Sequence, residues 1–351
     1  MFICYKKTYP WSACGLVTVL LVAGIWLLSA VAVHAAEVDS FTNRHALADS
    51  GPQLNGIVNK WLEEAIAEAN KKPLFLIEGD REGIGYCNQE QLLAALQDKL
   101  TGFIVGKLEA RVMEDKTLDT IKVEFDDSIY RDLVFAESPT ISLTKYLAVL
   151  LRVGDVYFGA DKFGHFFSEG FSYYEMYKNG DEHSALQFGD LTESTFYGEL
   201  TTGIFSYADL AANLNGLRFW NRILGLKPDP LSGEKVIRPY VQCVDKKWQL
   251  AAPFAWEEYV DPAWDEAVNC NAFKNRSLLE KVKKRIAGAS NGGTCPLYPV
   301  DRRLLVEKYG DLLDYVYNPG GNRVLDEPLK PKIEQYWSTI LGRLKTSPLF
   351  H

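Results

Sequence analysis

No two cysteines in this chain stand as Cys-x-x-Cys, which excludes a zinc ribbon or a thioredoxin-like redox pair. Glycine-rich phosphate loops and Gly-x-Gly-x-x-Gly patterns are also missing. Histidine is scarce, at five in 351 residues, so a metal site would have to draw on carboxylates. Positive charge is not clustered. Lys and Arg number 38 against 46 Asp and Glu, a net charge of -8, which argues against nucleic acid and against charge-driven binding to anionic lipid. Ser168 and Ser172 lie in no strand-turn-helix elbow, so a serine hydrolase is disfavoured. Internal repeats and low-complexity tracts are absent as well.

One long charge-free apolar run is present, Ser12 to Val33. Lys6 and Lys7 precede it and Val33-His34-Ala35 follows it, so residues 1–35 read as an export signal cut after Ala35. The run approaches the ~20 apolar residues that span a bilayer, so an uncleaved inner-membrane anchor is the alternative. Leu147 to Phe158 is apolar too, but Arg152 and Asp155 interrupt it. Cys4 and Cys14 leave with the signal. Cys87, Cys243, Cys270 and Cys295 remain, and in an oxidising compartment they form two disulfides by one of three connectivities. Cys270 with Cys295 is favoured because the loop between them is modest.

The pattern predicts a mainly α fold with a minor β, loop-rich C-terminal region. A helical domain over 36–225 would carry a central three-helix unit, and residues 226–351 would pack on it, stapled by disulfide. Residues 37–50 read as loose. Helices are expected over 54–70, 88–114, from Ser142 into Arg152, 155–178, 182–202, 206–224, 277–287, 301–317 and 331–344, and strands over 117–125 and 236–248. Ser206 with Asp209 has the spacing of a capping box.

The chemistry concentrates in the three-helix unit. Asp161, His165 and Glu169 recur every four residues and share one helical face, as do Asp209 and Asn213 on a second helix. Both sets sit among Phe and Tyr, which implies burial, and buried ionisable groups need partners. The two faces are therefore expected to meet. Gly216, one turn after Asn213, would permit close helix packing.

Asp-Lys-x-x-His-Phe (Asp161, Lys162, His165, Phe166), then Glu199, then Ser-x-x-Asp-x-x-Ala-Asn-x-x-Gly (Ser206, Asp209, Ala212, Asn213, Gly216) resembles the VanZ-like family and a group of small bacterial envelope lipoproteins. The resemblance covers about 60 residues. It implies a role at the bacterial envelope, without an established reaction. It departs in one respect: the VanZ-like helices span the membrane, whereas Lys178, Asp181, Glu182, Asp190, Glu193 and Arg218 make these too charged to do so.

Two functions follow as expectations. In the first, the chain is a periplasmic or exported envelope protein whose polar centre is a structural or binding scaffold, with Lys162 and Asn213 as binding residues. Its partner would be a cell-envelope component or a membrane surface. In the second, it is a metal-dependent hydrolase of envelope lipid or peptidoglycan. His165, Glu199 and Asp209 would then be catalytic, and Asp161, His165 and Glu199 would hold a divalent transition metal. His183 stands at an expected helix start and is expected to be exposed. Lys162 reads as a snorkelling or ion-paired side chain, and Tyr240, Trp248, Trp256, Tyr259 and Trp264 read as core or as a ligand groove.

Overall fold

The computed structural model describes residues 37–71, 86–102, 105–180 and 201–325. The segment expected to direct export, most of the helix expected over 182–202 with His183 and Glu199, and the helix expected over 331–344 lie outside these residues.

The stretch expected to be loose is anchored instead. Glu37–Val38 forms β1, and Asp39 Oδ1 accepts from the backbone N–H of Phe41 and Thr42. Helix α1, Gly51–Ala69, places Leu54, Val58, Leu62 and Ala65 on one buried stripe. Helix α2, Gln89–Leu100, starts at Asn88, whose Oδ1 accepts from the Gln91 N–H at 2.8 Å, and packs Leu92, Leu96 and Leu100 inward. The single helix expected over 88–114 is two. Thr101 turns extended and Gly102 follows, and α3, Lys107–Glu114, begins only after Gly106. The strand expected over 117–125 shrinks to one bridge between Ile121 and Leu150, followed by a 3-10 turn at Phe125–Asp127.

The helix expected from Ser142 into Arg152 is also corrected. A short α4, Pro139–Thr144, ends at Lys145 in the left-handed region, with φ 51°. Strand β2, Leu147–Ala148, then pairs in parallel with β1. Strands β3, Leu150–Val153, and β4, Val156–Gly159, form an antiparallel hairpin. Gly154 takes φ 56° in its two-residue turn, the conformation such turns require. The helix expected from Asp155 therefore starts later. It runs from Lys162–Gly164 through a π-helical turn, His165–Glu169, into Gly170–Asn179, and is designated α5 throughout.

Strand β5, Ile204–Phe205, leads to α6, Tyr207–Leu224. Ser206 Oγ accepts from the Asp209 N–H at 3.2 Å, and Gly225 closes the helix at φ 62°. Helices α5 and α6 cross at Gly170 and Gly216. A Cβ on Gly216 would lie 2.0 Å from the Phe166 carbonyl oxygen, so the crossing tolerates no side chain there. The expected strand pair appears as β6, Val241–Val244, and β7, Lys247–Leu250. Strand β8, Ala272–Phe273, pairs antiparallel with β5. Helices α7, Arg276–Ala289, α8, Arg302–Tyr309, and α9, Leu313–Val316, follow, and β9, Arg323–Val324, joins β8 in parallel.

Helices dominate and the sheets are small. The main apolar core does not respect a boundary at residue 225: Leu54, Phe166, Trp220, Tyr240, Trp256 and Leu305 all belong to it. Tyr240, Trp248, Trp256, Tyr259 and Trp264 are buried, which makes them core and not a groove. Two disulfides close the fold, Cys87–Cys243 and Cys270–Cys295, the second being the expected pair. No helix among the described residues is long and apolar enough to cross a membrane.

Candidate functional site

Helices α5 and α6 bring their polar faces together, as their spacing predicts. Lys162 is 0% exposed, so it does not snorkel. Its ammonium is surrounded by Asp161 Oδ2 at 2.5 Å, Asp209 Oδ1 at 2.5 Å and Glu266 Oε1 at 2.7 Å. Burial alone would lower the pKa of this ammonium, but the three carboxylates outweigh it and hold the group charged, well above the ordinary value.

His165 sits beside this cage. Its Nε2 lies 3.1 Å from Asp209 Oδ2, and its Nδ1 lies 3.1 Å from Glu169 Oε2 and 3.3 Å from Asn213 Oδ1. Asn213 Nδ2 donates to Glu169 Oε2 at 3.0 Å, which fixes both groups. Burial opposes the imidazolium, but Asp209 and Glu169 raise its pKa well above 6.5. The two cations in turn hold the Asp209 carboxyl below its usual range despite its burial. The capping box is thus half realised: Ser206 caps the helix, while the Asp209 carboxylate faces Lys162 and His165.

Three acids that the sequence pattern did not flag complete the centre. Glu266 follows a 3-10 turn at Pro262–Trp264, its Oε1 accepting from Ser206 Oγ at 3.2 Å and its Oε2 from Asn271 Nδ2 at 2.9 Å. Glu37 comes from β1 and is hydrogen-bonded by Thr202. Glu109 comes from α3, with Oε2 accepting from the Gly106 N–H at 3.1 Å. Burial raises all three. Glu109, beside Asp161, is pushed up to about 8 and Glu266 to about 7; Glu37, beside Glu266 and Asp209, is raised well above the carboxylate range. Glu266 had one available signal, an acidic pair, Asp265-Glu266, set between Trp264 and Ala267-Val268. Glu37 and Glu109 had none, because each reaches the centre from an element remote in sequence.

Aromatic rings wall the centre. Phe163 and Phe166 each lie 4.9 Å from Trp256, and Phe158 lies 5.2 Å from Trp264. Asp161, His165 and Asp209 each offer a ligand atom within 4.8 Å of the others, so three members of the expected metal and catalytic sets converge. Glu199 lies outside the described residues. Comparison with protein-family models, curated proteins and solved structures finds no match for this chain.

Proposed function

We propose that this chain is an exported protein of the bacterial envelope in which the charged centre is an internal scaffold that holds α5, α6 and the turn before Glu266 in register. The observation that carries this reading is Lys162, fully buried and touched by three carboxylates from three segments of the chain. A group that must approach substrate is normally accessible, whereas Asp161, Lys162, His165, Asp209 and Glu266 are all buried. The two disulfides support an oxidising compartment, as does the apolar N-terminal run. The VanZ-like motif supports an envelope location.

His165→Ala tests the scaffold. It leaves Asp209 and Glu169 without their shared cation, and thermal melts should show a loss of about 3 kcal/mol or more. An unchanged melt would remove the scaffold reading. Fractionation of cells, with thiol labelling of denatured, unreduced protein, tests export. Free thiols at Cys87, Cys243, Cys270 and Cys295 in a cytoplasmic product would end that part of the reading.

A further inference from the structure

The two aspartates of the centre divide their oxygens. Asp209 gives Oδ1 to Lys162 and presents Oδ2 to His165 Nε2. Asp161 gives Oδ2 to Lys162, and its buried Oδ1 has no hydrogen-bond partner. His165 Nε2 faces only Asp209 Oδ2, at 3.1 Å, and a metal between them would replace the proton that the imidazolium carries there. Asp161 Oδ1 is thereby left over, and His165 Nε2 and Asp209 Oδ2 have only each other. The other imidazole nitrogen is held by Glu169 and Asn213. That is the arrangement in which a ligating histidine has its ring orientation fixed by an outer carboxylate and its remaining nitrogen turned to a metal.

Charge points the same way. Glu37, Glu109, Asp161, Glu169, Asp209 and Glu266 gather around two cationic side chains, Lys162 and His165. A dry site with more carboxylates than cations must take up either protons or a further cation. Glu109 Oε1 is also buried and without a hydrogen-bond partner, beside Asp161.

We propose that Asp161, His165 and Asp209 bind one divalent transition-metal cation, with Lys162 holding the outer oxygens of both aspartates. The donors lie within 4.8 Å of one another. Ligand atoms about 2.1 Å from one ion stand at most about 4 Å apart, so a small contraction seats the ion. One imidazole with two carboxylates suits zinc, manganese or ferrous iron better than calcium or magnesium, which prefer all-oxygen sites. The π-helical turn begins at His165, and π turns recur at ligand sites. The proposal goes beyond the scaffold reading, which needs only Lys162 and the ion pairs.

The experiment uses the full chain purified without chelator. Elemental analysis should find about one transition-metal ion per chain, and calorimetric titration of chelator-stripped protein with Zn²⁺ or Mn²⁺ should reach the same stoichiometry. Asp161→Asn and His165→Gln should each weaken binding by tenfold or more, while Glu280→Gln, on an exposed face of α7, should not. Should a variant fail to fold, Co²⁺ titration of the wild type decides: visible d–d absorbance saturating at one equivalent supports the site. Wild-type protein that takes up no ion in any of these measurements overturns the proposal, as does unchanged affinity in both ligand variants. A metal-free wild type whose His165→Ala variant still melts early would sink the metal site and leave the scaffold standing.

Discussion

Lys162 is fully buried and Lys308 is half-buried, and the fold treats the two in opposite ways. Lys162 meets three carboxylates and is held charged, well above its ordinary pKa. Lys308 meets one, Asp261 Oδ2 at 2.6 Å, together with the Tyr259 carbonyl oxygen at 2.6 Å. There burial wins and the pKa falls: Asp261 opposes the shift, and the Arg218 guanidinium nearby adds to it. The second network is otherwise neutral in character. Tyr309 OH donates to Asp261 Oδ2 at 2.6 Å and accepts from Asn215 Nδ2 at 2.8 Å. Desolvation is common to both sites, so the number of carboxylates in contact decides the sign. The same comparison separates a lysine that faces one carboxylate from a lysine that faces three.

The largest expected effect comes from removing each ammonium. At pH 8, Lys162→Met should cost about 4 kcal/mol in denaturant melts, because Asp161 and Glu266 lose the cation they touch and Asp209 keeps only His165. Lys308→Met should cost about 2 kcal/mol, since Asp261 keeps the Tyr309 hydroxyl. Equal losses would break the comparison.

A smaller effect lies in the pH dependence, measured on chelator-treated protein. Glu109 is raised from its ordinary 4.5 to about 8 and Glu266 to about 7, so the folded chain holds protons that the unfolded chain releases. Stability should therefore fall as pH rises from about 5 to about 8, by about 1 kcal/mol per unit for each such group while it lies between its two pKa values. His165, raised above 6.5, acts in the same direction in the upper part of that window. Asp209, held low, acts oppositely only below its ordinary 3.8. Glu109→Gln, which imitates the neutral acid, should flatten the slope and make the variant the more stable protein at pH 8. A slope left unchanged by this variant would show that Glu109 is not the titrating group.

The smallest effect belongs to the neutral network. Tyr309→Phe should cost about 1 kcal/mol, the net value of an ordinary hydrogen bond, with little dependence on pH between 5 and 8. A larger, pH-dependent loss would mean that this network also carries surplus charge.

Much of the centre was legible because it is written in helical period. Asp161 and His165, and Asp209 and Asn213, are spaced by four, sit among aromatics, and do meet. The ends of α6 were marked by Ser206 and Gly225, and the crossing by Gly216. The errors share a cause. Leu150, Leu151 and Val153 are all buried, so β3 shows no alternation and reads equally well as helix. The two-residue turn Gly154-Asp155 was the overlooked hairpin signal. Glu37 and Glu109 were invisible because no local spacing links acids that meet only through the tertiary fold, and Glu266 had only the acidic pair between apolar residues to mark it. The Cys270–Cys295 pairing was readable from loop length, and Cys87–Cys243, separated by 156 residues, then followed only by elimination.

The π-helical turn at His165–Glu169 sets a constraint of counting. Such a turn holds one residue more than the α-helical turn it replaces, so the parts of α5 before and after it are out of phase by about 100°. A lineage that lost one residue here could keep a continuous helix with every remaining side chain intact. Asp161 and Lys162 would then rotate away from Asp209, while Tyr173 and Tyr174 kept their places against the core. The centre is therefore more exposed to a single-residue deletion than to most substitutions around it, and the length of this segment is as much a part of its chemistry as its residues are.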